Sequence, residues 1–488
     1  MVNHVADKNL RPAPDKELIA ISDYVADYVI DSELAYSTAR YCLMDSLSSA
    51  LMALDHTQCT KLLGPIIPGT IVPHGSRVPG TSFELDPILA AFNIGTLIRW
   101  LDFNDTWLAA EWAHPSDNLG AILAVADYVS RKNIFGKKPP LLMRDVLTAM
   151  IKAYEIQGVL ALENSFNRVG LDHVVLVKVA SAALAMQLLG GSKEDIVNAI
   201  SQAWLDGQSL RTYRHAPNTG SRKSWAAGDA TSRAVHLAWL VQKGEMGCPS
   251  VLTAKTWGFY DVLFKGKPFR LPREFGSYVI ENILYKISFP AEFHAQTAVE
   301  CAIALHDQVI HRLDQIEKIV LTTQEPALRI INKTGPLYNY ADRDHCLQYM
   351  AAAALLFGNL KAEYYDDVFA NDPRIDNLRE KMQVIEEPQF SKDYLDPEKR
   401  SIANSMQVFF KDGSKTDKIQ IEYPLGHQRR RAEGIPLLIK KFENSFMLHF
   451  PKQDVTERTV LFLNQKKLED MPVNEFMELW VKPTGSKK

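Results

Sequence analysis

The chain has 488 residues, with 55 basic against 58 acidic side chains and a formal net charge of −3. This balance argues against a general nucleic-acid-binding protein, which usually carries a clear basic excess. With 46% hydrophobic and 23% charged residues, the composition excludes a disordered or fibrous chain and predicts a large buried core.

The first half of the chain has helical periodicity. Long runs rich in helix-forming residues predict successive helices. Asp86 and Ser192 suit N-cap positions, and Pro87 suits the first turn of its helix. Several runs are apolar nearly all round, which predicts helices buried inside a helical layer. The predicted helices cover residues 33–54, 87–101, 118–130, 141–162, 174–189, 192–205 and 224–244.

The pattern changes near residue 285. Residues 315–323 alternate and are rich in β-branched side chains, which predicts a strand. Residues 406–410 and 418–423 flank the pair Asp412-Gly413, which is typical of a β-hairpin turn. These features predict a small β-sheet in the second half of the chain.

The remaining pattern is helical, with a charged loop predicted at residues 390–400. The predicted fold class is therefore mainly α. It consists of a large all-α helical domain over residues 1–284 and a smaller α+β domain over residues 285–430. Residues 431–488 are expected to complete the helical domain.

The five cysteines are scattered along the chain, and none has the C-x-x-C spacing of zinc or iron–sulfur ligands. A sparse, odd number of cysteines is typical of a reducing compartment, so the sequence predicts a cytoplasmic protein. The sequence shows neither a secretory signal nor an apolar run long enough to span a membrane. We therefore expect a protein without metal ion or cofactor, and without a nucleic-acid or membrane partner.

The densest polar cluster runs from Arg99 to Asp117. Asp102 and Thr106 share one face if the preceding helix continues, and His114 opens the next helix. A carboxylate, a hydroxyl and an imidazole thus meet at a helix end, where free backbone N–H groups favour anions. The alternative is an N-cap with a hydrogen-bonded turn. A calcium loop is excluded because the third ligand and the glycine after it are missing.

A second cluster, the basic loop at residues 211–223, contains Arg211, Arg214, Arg222 and Lys223 and no acidic residue. A loop of this charge before a helix N-terminus suits a polycarboxylate or a phosphate. The alternative is a solvated surface loop, because runs of charge are usually solvated.

Three isolated histidines, His173, His294 and His345, are further candidates, although a single histidine more often has a structural role. The motifs of zinc hydrolases, serine hydrolases and dinucleotide-binding enzymes are absent from the sequence. Those reaction classes therefore have no support.

Three long strings carry a resemblance to a known family. They are RWLDFNDTWLAAEWAHPSDNLGAILAVADY at 99–128, CTKLLGPIIPGTIVPHGSRVPGTSFELDP at 59–87 and KISFPAEFHAQTAVE at 286–300. The sequence resembles the MmgE/PrpD superfamily, on the branch that dehydrates 2-methylcitrate, over essentially its whole length. The resemblance implies a helical domain and a smaller lid domain, usually in a homodimer. It also implies dehydration of a small tricarboxylate, 2-methylcitrate, in propionate breakdown without an iron–sulfur cluster.

Membership alone does not fix the reaction, because the superfamily also contains cis-aconitate decarboxylases and an iminodisuccinate epimerase. Residues Glu111 to Ala113 and Asp117 depart from the decarboxylase pattern and favour the dehydratase branch. A lid tyrosine of the family matches Tyr338 or Tyr340, and the spacing leaves both open. The active-site positions of the decarboxylase branch match Asp102, Thr106, His114, His173, Lys223 and His294.

Elimination of water from a citrate-type acid needs groups that move protons and groups that stabilise negative charge. We expect His114 and His173 to transfer protons, with Asp102 orienting an imidazole and Thr106 positioning a substrate carboxylate. Lys223 is expected to stabilise the developing charge. The residues expected to bind the substrate are Arg211, Arg214, Arg222, His294 and Tyr338.

Two other functions stay open from the sequence. One is decarboxylation of cis-aconitate or a similar tricarboxylate, and the other is a helical scaffold without activity. The two charged clusters argue against a scaffold, which would not need them. The substrate stereoisomer and activity on citrate itself are not fixed by the sequence.

Overall fold

The computed structural model describes residues 9–482, so the ends of the predicted helical domain, residues 1–8 and 483–488, lie outside the described residues. Helices form most of the molecule. In chain order the α-helices are α1 Lys16–Asp27, α2 Glu33–Ala53, α3 Thr57–Thr60, α4 Pro87–Arg99, α5 Leu119–Phe135, α6 Met143–Glu163, α7 Val174–Leu188, α8 Lys193–Leu205, α9 Arg222–Gln242, α10 Phe259–Leu263, α11 Tyr278–Glu281, α12 Gln296–Val309, α13 Glu325–Ile330, α14 Tyr340–Arg343, α15 Leu347–Phe357, α16 Asp367–Ala370, α17 Pro373–Glu380, α18 Pro388–Leu395, α19 Arg431–Met447, α20 Lys452–Leu463, α21 Gln465–Glu469 and α22 Val473–Glu478.

The strands are few and short. They are β1 Ser76–Arg77, β2 Glu84–Leu85, β3 Trp107–Leu108, β4 Trp112–Ala113, β5 Ile316–Thr323, β6 Met382–Glu386, β7 Asn404–Phe410 and β8 Ile419–Ile421. Short 3₁₀ helices cover Pro115–Asn118, Asn167–Val169, Arg211–Arg214, Phe293–Ala295, Ile310–Gln315, Ala362–Tyr365 and Gln428–Arg430.

The helices predicted in the first half are confirmed, with ends that differ by a few residues. Their N-caps act as the sequence indicates. The Asp86 side chain accepts hydrogen bonds from the backbone of Ile88 and Leu89, both at 3.0 Å, ahead of Pro87. Ser192 and Asp195 form a reciprocal capping box at the start of α8. Local sequence signals therefore set the starts of these two helices.

The two helices that lead into the polar cluster, α4 and α9, pack closely because glycines face each other. A Cβ on Gly95 would lie 2.9 Å from the Cα of Gly228, and a Cβ on Gly228 would lie 2.6 Å from the carbonyl oxygen of Phe92. Any larger side chain would push these helices apart. Since Arg99 ends α4 and Lys223 begins α9, this contact brings the two predicted charged clusters together.

The main sheet has the strand order β6-β5-β7-β8. Strand β5 is parallel to β6 and antiparallel to β7. The predicted strand at 315–323 and the predicted hairpin are confirmed as β5 and as β7 with β8, and Gly413 takes a φ of 83° in the turn. The predicted loop at 390–400 is wrong in its first half, because Pro388 and the capping carboxylate of Glu387 start α18.

The buried apolar side chains form two large clusters. One joins helices from the first 287 residues with α19 to α22 near the end of the chain. The other surrounds β5, β7, α12 and α15. The prediction of a mainly α fold with a smaller α+β part is confirmed, whereas the exact domain limits stay a prediction. Within residues 9–482 no helix combines the length and hydropathy that crossing a membrane would require.

Candidate active site

A buried polar cluster lies where α4 ends and the chain turns towards the α+β part. The helix ends at Arg99, and Asp102 has a left-handed φ of 50°. The conditional prediction that Asp102 and Thr106 share a helical face is therefore wrong. Thr106 instead pairs with Leu284 through two backbone hydrogen bonds of 2.8 and 3.0 Å. This pairing brings the segment that carries Lys286 beside Asp102.

Asp102 is held by two cations. Its Oδ1 accepts hydrogen bonds from Arg99 Nη1 at 2.5 Å and from Lys286 Nζ at 2.8 Å, and its carbonyl accepts from the same Nζ at 2.6 Å. Burial alone would raise the pKa of Asp102, but Arg99 and Lys286 hold it well below its usual range. Asp102 is therefore an ionised carboxylate at neutral pH.

His114 is a neutral imidazole with a defined tautomer. Its Nε2 lies 3.0 Å from Arg99 Nη2, and its Nδ1 lies 2.8 Å from the Asp105 carbonyl and 3.2 Å from Thr106 Oγ1. Since guanidinium only donates and a carbonyl only accepts, Nε2 accepts and Nδ1 carries the proton. Burial, followed by the charge of Arg99, holds the pKa of His114 well below its usual range.

His173 lies immediately before α7, and its ring centroid is 5.5 Å from that of His114. The residue is 1% exposed, yet within the described part of the chain neither ring nitrogen makes a hydrogen bond, and Nδ1 lies 3.5 Å from Asp172 Oδ1. Burial is the largest reason that its pKa lies well below the usual range. A buried imidazole that makes no hydrogen bond is costly, so it indicates where a polar ligand would bind.

The arginines of the basic loop divide into two groups. Arg211 and Arg214 are buried and contact Asp172 Oδ2 at 3.2 and 2.5 Å, directly before His173. Arg222 has a side chain that is 38% exposed and pairs with Asp229 of its own helix at 2.9 Å. The structure therefore brings Arg211 and Arg214 to the cluster but leaves Arg222 at the surface.

Lys223 enters the cluster from the start of α9, and its side chain is 2% exposed. Its Nζ donates to Asp344 Oδ2 at 2.5 Å, and Asp344 Oδ1 lies 2.8 Å from His345 Nδ1. His345 Nε2 is in turn 3.9 Å from Asp102 Oδ2. The α+β part thus contributes a carboxylate and an imidazole to the cluster.

His294 also belongs to the α+β part and is fully buried. Its Nδ1 lies 2.8 Å from Glu292 Oε1, its Nε2 lies 3.2 Å from the Tyr394 hydroxyl, and its ring meets the Trp112 ring edge to face at 5.8 Å. Both ring nitrogens are therefore occupied by protein groups, in contrast to those of His173.

The two candidate tyrosines differ in position. Tyr338 is 73% exposed, whereas the Tyr340 hydroxyl is buried and has no hydrogen-bond partner among residues 9–482. Burial, then the charge of Asp344, raises the pKa of Tyr340 well above its usual value. Both line a cavity of about 610 Å³ that borders the cluster at Trp100 and Ser224. The structure favours Tyr340 as the tyrosine beside the buried groups.

Sequence reasoning assigns no role to four residues of the cluster: Arg99, Lys286, Asp344 and His345. Of these, His345 is only one of three candidate histidines, and Arg99 only the first residue of the densest polar cluster. One signal could have found two of them. Lys286 lies alone in the apolar run at 283–291, and Arg99 ends the apolar helix α4. A single charge in an otherwise buried run needs a partner, and here the partner is Asp102. Asp344 and His345 carry no such local signal.

The carboxylates of Asp102, Asp172 and Asp344 are held by lysine and arginine side chains. Across residues 9–482, no three side chains of histidine, cysteine, aspartate or glutamate are arranged to hold a metal ion. The cysteines are single and most are buried. The residues present suit an anionic ligand with several oxygen atoms.

Comparison with known proteins places this chain in a family. The MmgE/PrpD N-terminal domain matches residues 19–272, and the MmgE/PrpD C-terminal domain matches residues 289–466. A protein of Cupriavidus necator named 2-methylcitrate dehydratase is 62% identical over 473 residues, which cover 96% of this chain and 98% of the relative. One of Escherichia coli K12 with the same name is 60% identical, over 97% of this chain and 99% of the relative.

A more distant relative also matches over nearly the whole chain. The mitochondrial 2-methylcitrate dehydratase of Yarrowia lipolytica is 56% identical over 99% of this chain and 93% of its own length. The two family domains also match in order on either side of the segment that carries Lys286. By its two matched domains and its full-length relatives, the chain belongs to the MmgE/PrpD family.

Proposed function

We propose that this chain is a hydro-lyase that eliminates water from 2-methylcitrate to give 2-methyl-cis-aconitate, in the methylcitrate cycle of propionate catabolism. Relatives named 2-methylcitrate dehydratase match it at 56 to 62% identity over nearly its whole length. The residues of the cluster fit a substrate with three carboxylates. We expect the reaction to need no metal ion or other cofactor.

The observation that carries the proposal is a buried cluster rich in cations with unused hydrogen-bonding groups. Both nitrogens of His173 and the hydroxyl of Tyr340 lack hydrogen bonds in the described chain, although His173 Nδ1 lies 3.5 Å from Asp172 Oδ1. The Lys223 ammonium has three N–H groups and one acceptor, Asp344. A tricarboxylate would supply acceptors for these groups and the negative charge that balances the cations. The buried cations are Arg99, Arg211, Arg214, Lys223 and Lys286.

The elimination breaks a C–H bond next to a carboxylate and the C–O bond of the tertiary hydroxyl. The electron pair of the C–H bond becomes the second bond of the alkene, and the hydroxyl leaves with a proton as water. We assign the two proton transfers to His114 and His173, whose rings are neutral and adjacent. The nitrogens of His173 make no hydrogen bond, whereas His114 Nε2 must exchange its contact with Arg99 for the substrate. A neutral imidazole can accept a proton, and the imidazolium formed can return it to the leaving oxygen.

The negative charge that grows in the transition state needs fixed positive groups. Lys223 and Lys286 are buried and directed at the same carboxylate cluster. Asp102 fixes Arg99, which in turn donates to His114. Thr106 Oγ1, beside His114 Nδ1, and the Arg211–Arg214 pair are assigned to substrate carboxylates. His294 is assigned a supporting position because its ring nitrogens are occupied.

Decarboxylation of cis-aconitate is the less favoured function. The full-length relatives described above carry the name of the dehydratase. Residues 111–113, which depart from the decarboxylase pattern, are also held in place by contacts with neighbouring segments. Trp112 lies under Arg211 at 4.9 Å and Arg329 at 5.1 Å, and Glu111 accepts from Asn167. This packing fixes the wall of the site next to His294.

We also propose a cytoplasmic homodimer, which the family resemblance suggests. A relative with a mitochondrial name means that the compartment can differ within the family. The loop between α3 and β1 exposes Ile66, Ile67 and Ile71 at 70 to 87%, an apolar surface that a second copy could cover. Light scattering after size-exclusion chromatography tests the dimer, and a monomeric mass at micromolar concentration would contradict it.

The function is tested by offering each 2-methylcitrate stereoisomer and cis-aconitate in parallel to chelator-treated protein. The expected result is an unsaturated acid from one 2-methylcitrate stereoisomer and no CO₂ from cis-aconitate. CO₂ release from cis-aconitate would favour the decarboxylase instead. Activity that EDTA abolishes and a divalent metal restores would contradict the expectation of a metal-independent reaction.

A further inference from the structure

Asp344 joins the two sides of the site. It is fully buried in the turn between α14 and α15. Its Oδ2 accepts from Lys223 of α9 at 2.5 Å, and its Oδ1 accepts from His345 Nδ1 at 2.8 Å. One carboxylate therefore holds the ammonium from the helical part and the imidazole from the α+β part.

The contact with Asp344 also decides which nitrogen of His345 faces the cluster. Because the carboxylate accepts from Nδ1, the neutral ring has its lone pair on Nε2. Nε2 lies 3.9 Å from Asp102 Oδ2, which is beyond hydrogen-bond distance. A carboxylate behind an imidazole fixes both its tautomer and its orientation. His345 thus presents an unprotonated nitrogen next to Asp102.

We propose that Asp344 is a positioning residue of the reaction, which holds Lys223 charged and His345 in one orientation. This role rests on the proposed dehydratase function. The contact with Lys223 forms only when the turn before α15 lies against the start of α9, whereas the contact with His345 is made within the turn itself. Through Asp344, the charge on Lys223 therefore depends on contact between the helical part and the α+β part.

The charge of Lys223 depends on a small set of neighbours. Asp344 and His345 face it from the turn before α15, and Asp102 and Arg99 face it from α4 and the turn that follows. Burial is the largest influence and lowers the pKa of Lys223, while Asp344 opposes it. Without this carboxylate Lys223 would lose its proton at a lower pH and could no longer stabilise negative charge.

The test compares the pH profiles of kcat and kcat/KM for wild-type protein and D344N on 2-methylcitrate. The expected result is a fall in kcat of about 10²-fold with KM within a few-fold. The alkaline limb of the profile should move by about one pH unit or more to lower pH. The acceptor oxygen of asparagine replaces only one of the two carboxylate oxygens, so one contact is lost, and the negative charge beside Lys223 is lost in either case.

D127N is the matched control. Asp127 of α5 is as buried as Asp344 and pairs with Arg77 at 2.7 Å, away from the site. D127N should lower the melting temperature but leave the pH profile unchanged. If D344N does not fold, D344E serves: the alkaline limb should stay in place while kcat falls, because the charge is kept but moved.

The results separate this role from the function itself. Folded D344N with wild-type kcat and an unmoved alkaline limb, or with only a raised KM, would overturn the role of Asp344 while the dehydratase function stands. D344E with wild-type kcat would overturn it equally. Wild-type protein without activity on any 2-methylcitrate stereoisomer would overturn the proposed function, and the role with it.

Discussion

Two buried lysines of this chain have opposite surroundings. Lys441 of α19 donates to Asp45 at 2.7 Å, to the Phe103 carbonyl at 2.8 Å and to the Lys286 carbonyl at 2.9 Å. Lys223 has a single acceptor in the described chain, Asp344. An ammonium has three N–H groups, so Lys441 is fully satisfied and Lys223 is not.

The difference indicates which buried charged groups take part in the reaction and which only stabilise the fold. A buried ion pair with every hydrogen bond made mainly fixes structure, and Lys441 ties α19 and α2 to the two segments that carry Asp102 and Lys286. A buried ammonium or imidazole with unused hydrogen bonds is held ready for a ligand. By this criterion Lys223 and His173 are site residues and Lys441 is a support.

The largest effect is expected at the two adjacent imidazoles. His173→Asn and His114→Gln should each lower kcat by about 10² to 10⁴ with the fold intact, because proton transfer is lost. If the two rings act as one unit, the double variant should cost little more than the worse single one. Steady-state kinetics with circular dichroism measures this. Fully multiplicative losses would indicate two separate roles.

Replacing Lys223 should lower activity, whereas replacing Lys441 should lower stability. Lys223→Ala should lower kcat by about 10² or more, because it removes charge that stabilises the transition state. Unchanged kcat with only a raised KM would show that Lys223 merely binds substrate.

Lys441→Met should act on stability instead. Breaking one side of a buried pair costs about 3–5 kcal/mol in the free energy of unfolding, because Asp45 keeps an unpaired charge. Denaturant titration measures this loss, and kcat of the folded protein should fall by less than about tenfold. A larger loss of activity than of stability would place Lys441 with the site residues.

A smaller effect is expected on how the free energy of unfolding changes with pH, through Asp117. This residue lies 3.9 Å from Arg99 and accepts a hydrogen bond from Asn104. Burial raises the pKa of Asp117 to about 7, against about 3.9 for an unfolded aspartate. The folded state therefore holds the proton more tightly, so this stability is present below about pH 4 and is lost as pH rises through about 7.

In D117N that loss should disappear. Its free energy of unfolding should rise relative to wild type between pH 5 and pH 8, as urea titrations at several pH values would show. The exposed Asp314→Asn variant is the control. A difference between D117N and wild type that does not change with pH would contradict the assignment.

The smallest effects separate the two tyrosines. Tyr340→Phe removes a buried hydroxyl beside Asp344 and should lower kcat/KM by about tenfold if that hydroxyl binds substrate. Tyr338→Phe should leave it unchanged, because the side chain is 73% exposed. The reverse order would show that Tyr338 moves into the site when substrate binds.

Local signals made much of this fold predictable. Helix α2, the helices from α4 to α9, and the hairpin of β7 and β8 follow from caps, periodicity and an Asp-Gly turn. Strand β6 was not predicted, because its parallel partner β5 lies about sixty residues earlier in the chain. Such a pairing leaves no turn signal to identify it.

The site was predictable only in part, since most of its contacts join distant segments. Local clusters and the family resemblance indicate Asp102, His114, His173 and Lys223 as site residues, but not their contacts. The partner of Lys223 is 121 positions away, and no local pattern connects the two. The sequence also does not show which charged side chains are buried. Arg222 and Lys223 are neighbours in sequence, but the turn of α9 exposes the side chain of Arg222 and buries that of Lys223.

The central claim is that the unsatisfied buried groups around His173 are where water is eliminated from 2-methylcitrate. The most direct measurement is proton NMR of 2-methylcitrate incubated with wild-type protein and with folded H173N at equal concentration, with CO₂ monitored. Wild-type protein should form 2-methyl-cis-aconitate without CO₂, and H173N should do so at least about 10² times more slowly. Equal rates for the two proteins, or CO₂ in place of the alkene acid, would contradict it.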